Sequence, residues 1–414
     1  MKIFLSLVAL FITTSINAQI SLDSCQILAK NNYPAITQYD LLELAQEYNM
    51  KSVNQNYLPK LNVTAIGGYL YGLPSIDGLD SSKGNGQFVA LTQLNQLIWD
   101  GGISKRQKEL LSSNTDIQKF QLDQQFQKLE QQITSLYFSI LLIDEKLTTL
   151  ESLKRTYQAQ LQKVESAVNN GLALTSDYKE LEIALLTNEQ RERESLLMKE
   201  QFLSMLSKFV GNIVATSETL LIPEEGQILE TNSLLNPKIS LLDAEISKIA
   251  TEKQMLNTNL YPKLALTGIM VNFLPELGLG PANSNLIALG GISATWKIDG
   301  LWSNKSKKSS YDIRAEILES QKKQFEFQLD LELSTVKVEI ERFKSRFEQS
   351  AKIASLKEEV ATSYQSRYDN QNIGISDLLK TLEEVRISKS EMQTNYLMYL
   401  QAIYNYNQTI GNTY

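Results

Sequence analysis

The stretches NYLPKLNV (residues 56–63) and NLYPKLAL (259–266) set proline, lysine and leucine at matching positions, 203 residues apart. Each ends a helix-like segment, because proline lacks the N–H a continuing helix needs. Each then opens onto a strand-like run, LNVTAIGGYLYG (61–72) or LALTGIMVNF (264–273). β-Branched and aromatic residues alternate there with small or polar ones, the period of a half-buried strand. One helix-to-strand boundary used twice, half a chain apart, marks a tandem repeat.

The register extends well beyond those eight residues. Pro34 and Pro237 are also 203 apart, and Ile36 matches Ile239. Asp100-Gly101 then pairs with Asp299-Gly300, Ser176-Asp177 with Ser376-Asp377, and Gly211-Asn212 with Gly411-Asn412, at offsets of 199 or 200. The drift falls in loops, where length changes are tolerated. The expected organisation is a signal peptide over 1–18, a first repeat over 19–212, a linker over 213–236 and a second repeat over 237–414. Each repeat reads as a helix (35–56, 238–258), a β-hairpin (61–99, 264–298) and a long helical hairpin (103–210, 304–410). The linker is expected to form a small ordered patch against the outside of the helices.

The helical hairpins dominate the chain. No proline or glycine occurs from 103 to 169, and apolar residues fall at 122, 126, 129, 133, 136, 140, 143, 147 and 150. After a skip at Lys154 the series resumes at 157, 161, 164 and 168. This 4-3 alternation is a coiled-coil seam. The second copy shows 329, 333, 336, 340, 343 and 347, then a phase slip to 353, 356 and 360. A 67-residue helix is ~100 Å long, too long for a globular interior.

Composition removes most chemistry. The chain of 414 residues has no histidine, one cysteine (Cys25) and a net charge of −7. Histidine-based catalysis and the usual catalytic zinc sites are excluded, as is an internal disulfide. No basic face points to nucleic acid. The acidic residues follow solvated helix faces without a clustered pair, so no enzyme, metal or cofactor is expected. MKIFLSLVALFITTSINA (1–18) has the three-part form of a cleavable secretory signal, with Gln19 opening the mature chain. Cys25 lies beyond the apolar core of that signal and reads as a packed, unacylated residue.

No later run approaches the roughly 18 apolar residues of a membrane helix. Membrane residence would therefore use the four strands, which are long enough to cross when tilted. Four strands cannot close a barrel, and open edges cannot sit in lipid. Three chains would supply twelve. Tyr57, Tyr69, Tyr71 and Trp99, with Tyr261, Phe273, Trp296 and Trp302, stand near the strand ends. As a set they read as an interfacial girdle, although any one could simply pack beneath the barrel.

Several segments carry a family resemblance: ISLDSCQILAKNNYPAI (20–36), YLPKL and YPKL, LNQLIWDGG (94–102) and GLALTSD (171–177). In order and spacing they resemble the TolC-type outer membrane efflux proteins over essentially the whole mature chain. The resemblance implies an α+β membrane protein with two tandem structural repeats. Its trimeric twelve-stranded outer-membrane β-barrel, four strands per chain, would continue into a long periplasmic α-helical coiled-coil barrel. It implies an exit duct of a tripartite efflux or type I secretion system, passively exporting substrates. Its partners would be outer-membrane lipid, a periplasmic membrane-fusion adaptor and an inner-membrane pump of RND or ABC type. The rival class is a periplasmic adaptor or secreted coiled-coil protein, but adaptors usually have a single helical hairpin.

The resemblance also places a gate at the periplasmic helix tips, on Ser176, Asp177, Asp377 and Lys380. GISD (374–377) looks shorter than the first tip, and the second acidic gate position falls on Lys380. A mixed Asp377/Lys380 gate is expected in place of stacked acidic rings. Gly171, Leu172, Gly374 and Ile375 are the expected adaptor-contact turns. Beside this stands a local reading in which Gly171 and Gly374 are left-handed helix ends and Ser176, Ser376 or the aspartates are N-caps.

Overall fold

A computed structural model of the chain describes residues 20–69, 86–214, 220–228, 236–274, 285–298, 300–370 and 372–411. The expected signal peptide, Tyr71, Asp299 and parts of the linker and hairpin loops lie outside them. The element order is α1 (Leu22–Asn32), a 3-10 turn (Pro34–Ile36), α2 (Thr37–Gln55), β1 (Lys60–Tyr69), β2 (Gly86–Trp99), α3 (Ile103–Asn169) and α4 (Thr175–Val210). Then come α5 (Pro237–Thr258), β3 (Lys263–Leu274), β4 (Asn285–Thr295), α6 (Gly300–Asp369) and α7 (Ile375–Ile410). Helix α1 was missed in the sequence. Ser21 caps it by accepting from the Ser24 N–H, and Leu22, Cys25 and Ala29 bury its inner face.

Contacts divide the chain into two compact units, each drawing on both halves of the sequence. One comprises residues 37–121 and 238–325. Its centre is one antiparallel sheet in the order β1-β2-β3-β4, so the two hairpins join through β2 and β3. The proline of each PKL segment stands just ahead of β1 or β3. Asp100 shapes the exit from β2. Its carboxylate accepts from the Gly102 N–H (2.9 Å) and the Ser104 N–H (2.7 Å), capping the start of α3. Gly101 has φ +73°, and a Cβ there would lie 2.9 Å from the Tyr261 Cβ, so only glycine fits this turn.

The other unit comprises residues up to 36, 122–237 and 326–414. Here α3 buries Leu122, Phe126, Leu129, Ile133, Ile140, Ile143, Leu150, Tyr157 and Val164. Leu153 fills the seam where the apolar series skips. Lys154 instead reaches the Glu192 carboxylate at 2.9 Å. The phase slip expected in α6 does not occur. Its buried line continues through Ser350, Ala354 and Ala361, while Ile353, Leu356 and Val360 are exposed on another face. Ser350 fits the seam because its hydroxyl donates back to the Arg346 carbonyl at 2.7 Å.

The described part of the linker, 220–228, is stitched to these helices as expected. Leu220 bridges Ile20, and the Tyr137 hydroxyl lies 2.6 Å from the Leu221 carbonyl. The Tyr399 hydroxyl donates to the Glu225 carboxylate at 2.5 Å, and the Asn407 amide to the Gln227 carbonyl at 3.0 Å. No described helix is long and apolar enough to cross a membrane.

Candidate functional site: the helix tips and the sheet

The turns α3–α4 and α6–α7 have the same backbone plan. The N–H of Asn170 bonds the Ser166 carbonyl, and that of Asn370 the Ser366 carbonyl, both at 3.2 Å. Leu172 then reaches back to Ala167 (2.8 Å), as Asn372 does to Arg367 (2.9 Å). The Asn170 and Asn370 amides repeat the match, donating to Ser166 and Ser366 at 2.8 Å. The second tip is therefore not shorter. Its glycine occupies a different slot.

That difference corrects the capping reading. Gly171 has φ +72° and ends α3 in the left-handed conformation. Gly374 has φ −78° and is the extended N-cap of α7, equivalent to Leu174 before α4. Ser176, Asp177, Ser376 and Asp377 lie inside the first helical turns instead of at the caps. Asp177 serves the cap from within, its carboxylate accepting from the Leu174 N–H at 3.4 Å. A leucine side chain has no acceptor, so only this half of a capping box forms. Carboxylates in a first turn also suit the helix dipole.

Beneath the turns Leu153, Tyr157 and Val164 of α3, Leu181 of α4, and Ile375 and Leu378 of α7 form one buried cluster, with Tyr364 and Tyr368 of α6 packed against it. Ile375, expected among the adaptor contacts, is 6% exposed and belongs to this core. Leu172 is 81% exposed, and Leu174 and both tip glycines are also exposed. Asp377 and Lys380 are exposed on α7. The Ser376 hydroxyl bonds the Glu180 carboxylate at 2.8 Å, linking the two tips. Glu180 had no signal in the sequence, since its role depends on where α7 comes to lie. Deeper in, the Tyr157 hydroxyl donates to Glu383 (3.2 Å), which also pairs with Arg386 (2.5 Å). Burial first, then the Glu383 charge and hydrogen bond, push the Tyr157 phenol up to about 12.

The sheet has two chemically different faces. Cross-strand partners project to the same side, so the register defines each face. One carries Leu61, Val63 and Ala65 of β1, Ala90 and Leu94 of β2, Leu266 and Met270 of β3, and Leu286, Ala288 and Ile292 of β4, together with Thr92, Gln96 and Asn272. It bears no charge. The opposite face, at the end nearest the helices, carries Lys60, Asn62 and Thr64, Gln93 and Asn95, Lys263 and Thr267, and Ser293 and Thr295. Thr267 and Ser293 share a 2.8 Å hydrogen bond across it. Trp99, Tyr261, Trp296 and Trp302 cluster at this same end, all exposed.

Long paired helices and a two-faced sheet are the parts of a known architecture. The chain aligns with the outer membrane protein VceC of Vibrio cholerae at TM-score 0.72 and 11% identity, covering 94% of this chain and 96% of that one. CusC, described for transmembrane channel formation, gives TM-score 0.75 at 12% identity and coverage of 96% and 93%. The chain has the outer-membrane channel fold. The open-state MtrE channel of Neisseria gonorrhoeae also shares this channel fold, at TM-score 0.70, 13% identity and coverage of 94% and 89%. No protein-family model and no curated protein sequence matches the chain.

Proposed function

We propose that the chain is one protomer of a homotrimeric outer-membrane exit duct, a passive channel and not an enzyme. The observation that carries this reading is a four-stranded sheet of membrane-crossing length whose strands are largely apolar, with its charged residues, Lys60 and Lys263, confined to the end nearest the helices. The outer edges of β1 and β4 have no further strand partner among the described residues. Unpaired backbone groups are unstable in lipid, so each edge needs a neighbouring copy. Three copies give twelve strands, within the range of membrane barrels. The two halves of the chain act as tandem repeats, 19–212 and 237–414, joined by the 213–236 linker, and a cleaved 1–18 signal directs export.

In this reading the helices extend into the periplasm, and their tips meet a membrane-fusion adaptor coupled to an RND or ABC inner-membrane pump. The system is tripartite efflux or type I secretion. Ser176, Asp177, Asp377 and Lys380 gate the periplasmic end. Gly171, Leu172 and Gly374 form the adaptor-contact surface, with exposed Leu174 added and buried Ile375 removed. The purified protein is expected to be a trimer that requires detergent, by light scattering on size-exclusion chromatography. A monodisperse, detergent-free monomer would overturn the barrel.

A further inference from the structure

We infer that the junction between β4 and α6 binds the anionic phosphate headgroups of membrane lipid, through Lys297, Lys305, Lys307 and Lys308 flanked by Trp296 and Trp302. The inference rests on the outer-membrane reading above and adds a specific lipid chemistry to one end of the sheet.

Its first support is a local reversal of charge. The chain carries a net −7, yet between Trp296 and Tyr311 four lysines stand against one acidic residue, Asp299, which lies outside the described residues. Among the described residues none of the four lysines has an ion-pair partner. Pairing on α6 begins only at Asp312, with Lys253, and at Arg314, with Glu252. The α3 N-terminus is already served by the capping Asp100 carboxylate, so its first turn carries no further acidic residue, and that of α6 carries none either. Helix α3 instead places Lys105 and Arg106 there.

The second support is position. The register sets Lys263 opposite Thr295, so the start of β3 and the end of β4 lie at one end of the sheet. At 1.5 Å rise per residue, Lys308 stands only ~12 Å along α6 from that end. Trp296 and Trp302 are 61% and 68% exposed, and Ile298 and Leu301 are exposed beside them. The Trp296 indole N–H donates to the Leu260 carbonyl at 2.9 Å, which anchors the ring while leaving its body uncovered. Tryptophan with lysine just beyond an apolar sheet face matches the headgroup layer, where aromatic rings and cations are both favoured.

Charge also selects the occupant. A neighbouring copy paired on the β4 edge would bring its own β1, whose junction end carries Lys60, and like charge is no complement. Zwitterionic headgroups offer the lysines no net charge. Anionic phosphate does.

The test uses the full-length purified protein in vesicles of phosphatidylethanolamine, with or without about a third phosphatidylglycerol. Lipids retained after detergent extraction are counted by native mass spectrometry, alongside a K297Q/K305Q/K307Q/K308Q variant and its all-arginine counterpart. With each lysine near the surface worth roughly fivefold in anionic lipid binding, the glutamine variant should lose phosphatidylglycerol retention on the order of tenfold or more. The arginine variant should keep it, which also covers a glutamine variant that fails to assemble. Equal retention by wild type and a folded glutamine variant would overturn the inference. So would displacement of the lipid by millimolar inorganic phosphate, which would make this a soluble-anion site. Either result in a trimer that still conducts leaves the channel reading standing; a wild-type protein that forms no trimer would remove that reading instead.

Discussion

Asp377 and Lys380 lie one helical turn apart at the start of α7, both exposed and neither in an ion pair among the described residues. Packing within the chain thus leaves them free for the proposed gate, and replacing both with alanine should raise single-channel conductance in planar bilayers. Unchanged conductance would count against the gate. Cys25 shows the opposite fate of a reactive group. It is fully buried, and burial pushes its thiol up to about 12 from an ordinary value of 9.0. The thiol should resist a maleimide at pH 8 in the folded protein and react once the chain is unfolded. Because the folded value is raised, its stabilising contribution is complete below pH ~9 and is lost as pH rises toward 12. Rapid labelling of the folded protein would contradict this burial. Cys25 was legible as a packed residue from its position alone, whereas the link from Ser376 to Glu180 was not. Nothing in a sequence says which residue 196 positions away will face a given serine.

At the scale of elements, two glycines with nearly the same backbone should behave differently. Gly101 (φ +73°) leads from β2 into α3 and touches Tyr261 and the Thr258 carbonyl, whereas Gly171 (φ +72°) has open space around it. Gly101→Ala should therefore cost about 1–3 kcal/mol in unfolding free energy from strain plus collision. Gly171→Ala should cost only the left-handed strain, about 1–2 kcal/mol. Comparing their thermal unfolding checks the order, and a larger loss at Gly171 would refute it. The long helices were nearly complete in the sequence, because an uninterrupted 4-3 pattern without proline or glycine has few alternatives. The α3 bounds, Ile103–Asn169, stop one residue short of the full run between Gly102 and Gly171 that lacks both residues. The α6 seam was misread after 347 because Ser350, Ala354 and Ala361 are too small or too polar to register as apolar. They are buried all the same.

For the whole molecule, the exposed residues on α6 bear on assembly. Phe327, Leu331 and Val338, then Ile353, Leu356 and Val360, remain uncovered by the chain's own packing. In the proposed trimer a second copy covers them, so L331E/V338E should convert the trimer to monomer, read by light scattering in detergent. A stable trimer carrying both charges would place the interface elsewhere. The sequence by itself determined the order of elements from α2 onward, the helix-to-strand boundary at each PKL, the length of the helices and the absence of histidine chemistry. These follow from local rules of period, proline and composition. Only the tertiary structure decided that β2 pairs with β3, that Gly374 caps α7, that Ile375 is buried and that the α6 seam runs through small residues. Each of these depends on which distant surface arrives opposite a residue, and packing sets that where local propensity does not. For the repeated PKL, the sequence marked where helix gives way to strand, and only the register showed that the lysines Lys60 and Lys263 share one face of one sheet.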